Sequence, residues 1–460
     1  MQSSKIYSRR AEVSHLVRLA APIVAAQVAA TLMGFIDAMM AGQVSATDLA
    51  AVAVANSIWF PAILLVMGVL MALPPIISRH LGAQQPDKVP NDMWQSGWLA
   101  LICAIGAMLL VQLAPMILAQ MTVEADLESL VYGYLDAVIW GAPGFAGYLV
   151  LRNTSEGLSF TKPSMWIGVL GLLLNIPLNY AFIYGAWGAP AMGGAGCGVA
   201  TAIVQWLMFA GMLLCVRYHH FYRPYHLLSA IQGPNWSAML ALFKIGFPMA
   251  LAFFFEVTLF AVVAVLLAPM GATVVAGHQV ALNFSSIIFM LPMSLGMAIS
   301  IRMGYRLGQR DPTGCFFSYK TGLGVGLALV ACTASFTLIF RHLIADVYTN
   351  DAAVIELATS LLVLATVYQL SDTIQVIGVS ALRAFKDSKG ILYITLFAYW
   401  CCGLVVGVVL AMTDIIVPAM GPYGFWIGFC VGLTAAAVLL SLRLRYCRRK
   451  LFANPEWQLS

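Results

Sequence analysis

Residues 242–267 read LFKIGFPMALAFFFEVTLFAVVAVLL, with one base, Lys244, near the start and one acid, Glu256, in the middle. About 20 apolar residues in a helix cross the hydrocarbon core of a bilayer, so this run spans a membrane. Lys244 reaches the interface by laying its stem along the apolar surface. Glu256 has no such route. An ionised side chain at the centre of a spanning helix costs roughly 2.5–3.5 kcal/mol on insertion scales, so such groups face protein-lined cavities and mark ion or substrate paths. Two more carboxylates are placed the same way, Asp37 in TLMGFIDAMMAG and Asp372 in VYQLSDTIQVIG. The first expectation is a transporter.

The rest of the chain has the same character. Of 460 residues 61% are hydrophobic and 9% charged, whereas soluble domains carry about 25% charged residues. The expected fold class is therefore an all-α integral membrane protein. Apolar windows fall near 14–38, 50–75, 94–119, 130–151, 163–184, 194–216, 238–267, 274–300, 318–341, 352–381, 390–412 and 423–444, which makes twelve transmembrane helices. The first is too long for a signal-peptide core and has no clear processing site, so it is expected to stay in the membrane.

Lys and Arg give the orientation. They occupy the N-terminus (Lys5, Arg9, Arg10), alternate loops from Arg79 and Lys88 to Arg383, Lys386 and Lys389, and the C-terminus (Arg443, Arg445, Arg448, Arg449, Lys450). The other loops hold Glu124, Asp126, Glu128, Asp346, Asp351 and Asp414. The positive-inside rule then puts both termini in the cytoplasm. The net charge of +5 is dispersed over these loops and makes no nucleic-acid surface.

The opening of the quoted stretch occurs twice. Leu16–Pro22 (LVRLAAP) and Leu242–Pro248 (LFKIGFP) are 226 residues apart, as are Leu81–Gly82 and Leu307–Gly308. Leu151–Arg152 echoes Leu382–Arg383, and PAMG occurs at Pro190–Gly193 and Pro418–Gly421. Four matches in order imply a duplicated six-helix unit. Six is even, so both copies insert the same way up, and transport sites lie between or within such bundles. The basic, aromatic segment 217–236 is the natural connector, giving an N-terminal lobe 1–225 and a C-terminal lobe 226–460.

The acids do not follow the repeat: Glu256 corresponds to Ala30, Asp37 to Val263 and Asp372 to Gly141. Each lobe has its own polar centre. In the C-terminal lobe Tyr368 and Asp372 are four apart on one helix face, with Gln375 following, and bind a small cation or proton if Glu256 approaches. The bland alternative is a polar clamp between helices. In the N-terminal lobe LLLNIPLNY sets Asn175 and Asn179 four apart around Pro177, which removes a helical donor and frees a carbonyl near Leu173. With Asp37 these oxygens suit Na+ or a proton-linked network; asparagines bridging helices are the structural alternative. His278 reads as a packing histidine, and Glu156 as an interfacial loop partner of Arg152. Nine cysteines, scattered singly or as Cys401–Cys402, show no zinc spacing or disulfide framework. GxxxxGK[ST], HExxH and GxSxG are all absent from the sequence. The expectation is a non-enzyme without a cofactor, driven by an ion gradient.

SIWFPAILLVMGVLMALPPI, GLLLNIPLNYAFIYG with GGAGCGVATAI, FFFEVTLFAVVAVLL with AGHQVALNFSS, and VYQLSDTIQVIGVSALRAFKD together resemble the multidrug and toxin extrusion (MATE) family, in its bacterial NorM-type branch, across residues 10–445. The resemblance implies a V-shaped antiporter of two pseudo-symmetric six-helix bundles, exporting amphipathic, often cationic drugs in exchange for Na+ or H+. It implies a cation site at Glu256, Tyr368 and Asp372, and an acidic site at Asp37 with Asn175, Asn179 and Thr201, with Na+ at either. Some relatives have an acid where this chain has Asn179, leaving fewer charges in that lobe.

An amphipathic cation would meet Asp37 and an aromatic and thioether surface of Phe253, Phe254, Phe255, Phe289, Met290, Met293, Tyr399 and Trp400. The implied setting is a multi-pass monomer in the bacterial inner membrane with drugs, the coupling cation and the lipid bilayer as its partners. Two other readings stand beside this one: a flippase for lipid-linked precursors, which would favour a basic cavity, and a non-transporting membrane scaffold.

Overall fold

The computed structural model describes residues 7–113, 116 and 125–453. Among them twelve helices are long and apolar enough to cross a membrane: α1 (Arg9–Val44), α2 (Ala46–Gly82), α3 (Pro86–Val111), α4 (Asp126–Gly157), α5 (Lys162–Tyr184), α6 (Gly194–Tyr218), α7 (Trp236–Met270), α8 (Ala272–Gly308), α9 (Pro312–Tyr348), α10 (Ala352–Ala384), α11 (Ser388–Met412) and α12 (Pro422–Ala453). Their number and order are those of the apolar windows. Most run past the windows, because polar residues at the ends continue the helical hydrogen bonding beyond the apolar stretch. The end of the third window and Glu124 lie outside the described residues.

Local breaks have identifiable causes. The first stretch of α2 stops at Leu70 and a second begins at Leu73. Pro74 has no N–H to offer the Leu70 carbonyl four residues back. Asn153 of α4 supplies the missing donor, its Nδ2 lying 3.0 Å from that carbonyl. In α11 the segment Phe397–Leu404 is wound as a π-helix, a distortion that is common at functional sites.

The chain divides into two compact units. Ala21–Ala250 form one, here the N-unit; residues up to Ala20 together with those from Leu251 onward form the other, the C-unit. The division thus falls inside α1 and α7, not at the connector that suggested 1–225 and 226–460. The reason lies in what the leading ends of these helices touch. In α7 a Cβ on Gly246 would lie 2.2 Å from the Val69 carbonyl oxygen, and in α2 one on Gly68 would lie 2.4 Å from the Ala250 Cα. Only glycine permits so close a crossing. In α1, Glu12 is buried at 4% exposure. It accepts from Arg302 Nε at 2.7 Å, Arg302 Nη2 at 2.9 Å and the Ser318 hydroxyl at 2.6 Å, which ties the start of α1 to α8 and α9.

The connector belongs to the N-unit and is held by α3. Trp94 and Trp98 donate to the carbonyls of Leu227 and Gln232, and Gln95 both donates to the Gly233 carbonyl and accepts from Asn235 N. Each unit has its own apolar core. Trp59, Tyr134, Tyr148 and Met212 are among the large buried side chains of the N-unit, and Tyr399, Phe425 and Trp426 of the C-unit.

The α2–α7 crossing generates a prediction. Gly246→Val forces a branched side chain against fixed backbone and should cost on the order of 1–3 kcal/mol, lowering the melting temperature of purified protein in detergent. Gly34→Ala, where the new Cβ would meet nothing within 4 Å, should not. Equal melting of the two variants would contradict this account of the crossing.

Candidate ion and substrate sites

In the N-unit, three helices bring together all four residues expected there. Asp37 comes from α1, Asn175 and Asn179 from successive turns of α5, and Thr201 from α6. Asp37 is 5% exposed. Its Oδ1 accepts from Asn175 Nδ2 at 3.0 Å and Asn179 Nδ2 at 2.5 Å, and its Oδ2 accepts from the Thr201 hydroxyl at 3.1 Å. Asn179 Nδ2 also lies 3.1 Å from Asn175 Oδ1. Neutral donors thus solvate this carboxylate in place of water, as a buried anion requires. Asn179 Oδ1 is buried without a partner among the described residues. That leaves one amide oxygen beside the carboxylate for a cation. Cys197, whose thiol lies 3.5 Å from the Asp37 carbonyl oxygen, also borders this centre. No motif in the sequence marks it.

The C-unit centre is built differently. Glu256 comes from α7, Tyr368, Asp372 and Gln375 from one face of α10, and Tyr399 from the π-helical part of α11. Asp372 is 2% exposed and its Oδ1 has no hydrogen-bond partner among the described residues. The Tyr399 hydroxyl accepts from Gln375 Nε2 at 2.6 Å and also faces Glu256. Asp372 and Tyr368 both lie within the field of Glu256. Two like charges in one apolar bundle, with few donors around them, repel each other. A proton or a metal cation relieves that repulsion.

Two cavities open at these groups. Asp372, Tyr368, Gln369, Ser285, Thr333 and Phe289 are among the residues lining one small cavity. Glu256, Tyr399, Phe260, Gly403 and Phe429 are among those lining another small one. In the first, Asp372 Oδ1, Gln369 Oε1 and Ser285 Oγ are all buried oxygens without partners among the described residues. Oxygen donors of this kind suit a hard cation such as Na+. Ser285 and Gln369 were not singled out in the sequence, although Ser285 lies in AGHQVALNFSS and Gln369 follows Tyr368.

The residues expected to meet drug are distributed unevenly. Phe289 lines the Asp372 cavity. Tyr399, 1% exposed, belongs to the Glu256 centre and lines the cavity there. Trp400 donates to the Phe255 carbonyl at 3.2 Å and packs edge-on against the Phe255 ring. Phe253, Met290 and Met293 are partly exposed. His278 is a packing residue, fully buried, with Nδ1 accepting from Trp426 Nε1 at 3.2 Å. The Arg152–Glu156 pair forms at 2.7 Å. It is buried inside the N-unit, with Glu156 at 0% exposure, and is not the interfacial loop contact that was expected.

Buried acidic centres in a twelve-helix apolar fold define a membrane transporter, and comparison with known proteins names its kind. The model of the MatE family matches residues 22–181 and again 248–409, so the two matches begin at the paired prolines Pro22 and Pro248. The chain is 50% identical over 438 residues to a probable multidrug resistance protein NorM of Shewanella oneidensis, covering 95% of each chain. It is 49% identical over 440 residues to the multidrug resistance protein MdtK of Edwardsiella ictaluri, covering 95% of this chain and 96% of that one. Its fold matches that of the MATE transporter VcmN of Vibrio cholerae in a bent form, with a TM-score of 0.84 at 19% identity, covering 96% of this chain and 98% of that one. The chain belongs to the MatE family and to its bacterial NorM-type branch.

The separation of the two centres is testable at Asp37. Asp37→Asn places an amide where Asn175, Asn179 and Thr201 all donate, so the network must rearrange, yet it leaves Glu256 and Asp372 untouched. Transport should be lost while the purified variant still binds cation. Loss of all cation binding would show a single site instead.

Proposed function

We propose that this chain is a multidrug efflux antiporter that exports amphipathic, often cationic compounds in exchange for Na+ or H+. In this reading it is a monomer in a bacterial cytoplasmic membrane, with both termini in the cytoplasm. The observation that carries the proposal is the C-unit centre: Glu256 and Asp372 share one apolar bundle, and the Asp372 cavity holds oxygens with no partner among the described residues. A site of that composition takes a cation. The two multidrug resistance relatives, about half identical over nearly the whole chain, support drugs as the exported class.

The sign of the intramembrane charges supports this reading over a lipid-linked precursor flippase, since a phosphate headgroup calls for a basic cavity. The energy source follows from the gradient. One charge moving through 100 mV supplies about 2.3 kcal/mol, which is enough for roughly a 50-fold concentration ratio. In the proposed cycle the coupling cation neutralises the C-unit carboxylates and favours one conformation, while the drug favours the other. Phe289 beside Asp372, with Phe253, Met290, Met293 and Trp400, offers cation–π and adaptable thioether contacts to a flat cationic compound. Asp37 in its network serves as the second acidic centre.

Asp372→Asn and Glu256→Gln keep side-chain shape and remove charge. Each is expected to reduce ion-driven drug efflux from proteoliposomes to background while the protein stays folded and inserted. Normal gradient-driven efflux from both variants would overturn the proposal.

A further inference from the structure

The exposed surface of α12 changes character within one turn. Val438 and Leu442 are exposed apolar side chains, and Arg445 and Arg449 continue the same face at helical spacing, with exposed Arg448 beside them. The opposite face, Leu444, Cys447 and Leu451, is buried in the C-unit core. Exposed Tyr446 stands at the change, where tyrosine is enriched between hydrocarbon and headgroups. In a bilayer, acyl chains cover the apolar part of such a face, and Arg445 marks its entry into the headgroup layer.

The bases have no acid of their own to meet. Three carboxylates of the described C-unit stand at this end of its helices, Glu12, Asp311 and Asp387, and each is taken. Arg302 and Arg306 hold Glu12, Arg306 also holds Asp311, and Arg443 holds Asp387 at 2.6 Å. Arg445, Arg448 and Arg449 make no ion pair among the described residues.

Arg448 is nevertheless held in place. Its guanidinium carbon lies over the Phe316 ring of α9, 5.5 Å from the centroid, and over Phe452, 5.8 Å from the centroid. Phe316 in turn stacks on Phe385, at the end of α10, at 5.9 Å. A charge that served only to orient the chain during insertion would need no such support. A guanidinium laid on rings presents its N–H donors as a fixed planar fork, which matches two oxygens of a phosphate.

We infer that Arg445, Arg448 and Arg449 form a docking site for the phosphodiester headgroup of an anionic phospholipid, whose acyl chains run along Val438 and Leu442. Basic clusters at the end of a spanning helix attract anionic lipid, and each base near the headgroups contributes about fivefold to binding. The apolar track leading to the arginines favours a lipid over a free phosphate ion, which has no use for it. This site depends on the membrane setting of the twelve helices, and not on cation coupling or on the exported compound.

The test is binding of the first phosphatidylglycerol molecule to the protein purified in neutral detergent, read by native mass spectrometry beside phosphatidylcholine of the same chain length. Wild type should bind phosphatidylglycerol roughly tenfold or more tightly than phosphatidylcholine, and excess inorganic phosphate should not displace it. Replacing Arg445, Arg448 and Arg449 together by Gln should abolish the preference. Lys162, Arg217 and Arg223, exposed bases of the N-unit, replaced together by Gln remove the same charge elsewhere and should leave the preference within about twofold of wild type. Arg448→Lys keeps the charge, and with it normal insertion, but loses the fork, so it should weaken the first lipid by roughly twofold or more; it decides the matter alone if the triple Gln variant inserts poorly. Equal binding of the two lipids by wild type, displacement by inorganic phosphate, an equal loss in both triple variants, or an unchanged Arg448→Lys would each overturn the inference.

Discussion

The structure turns on the difficulty of keeping a carboxylate ionised among apolar helices. Water solvates an anion at little cost, whereas an apolar bundle must supply donors or opposite charge, or leave the anion to find a cation. The two units meet this constraint in different ways. Asp37 is enclosed by three donors from Asn175, Asn179 and Thr201, so its charge is held by the fold itself. Asp372 has a bare oxygen on a cavity and Glu256 for a neighbour. The first centre is the more complete, with Asn179 Oδ1 left over among the described residues, and the second is incomplete. An incomplete acidic centre is where a mobile cation gains most by binding, and its binding energy can then bias a conformational equilibrium.

Duplication explains how such asymmetry arises on a symmetric frame. The repeat fixes where helices start and where prolines fall, as the paired family matches from Pro22 and Pro248 show. It does not fix what the helices carry. Glu256 corresponds to Ala30 and Asp37 to Val263, so each of these acids is present in one copy alone.

Much of this was legible in the chain. Hydropathy gave the twelve helices, and the i, i+4 spacing of Asn175 with Asn179 and of Tyr368 with Asp372 gave the residues that share a face. Internal repeats located the paired prolines. What stayed hidden depends on contacts between elements distant in sequence. The unit boundaries inside α1 and α7 come from Gly246 meeting Val69 and Glu12 meeting Arg302, and no composition shift marks either. Tyr399 reads in the sequence as an aromatic surface for drug, and no local pattern shows that its hydroxyl also meets Gln375 and faces Glu256. The Arg152–Glu156 spacing was visible while its burial was not, because a polar stretch near a helix end looks the same in sequence whether solvent or another helix covers it.

The central claim is that cation and drug act on one equilibrium through these acidic groups. Linkage makes this reciprocal: whatever factor the cation takes from drug affinity, drug must take from cation affinity. Equilibrium binding of a cationic drug to the purified protein, titrated against Na+ at fixed pH and then against pH without Na+, tests it most directly. The account predicts that saturating one of these cations weakens drug binding, and that saturating drug weakens binding of that cation by the same factor. Drug affinity indifferent to both cations would contradict it.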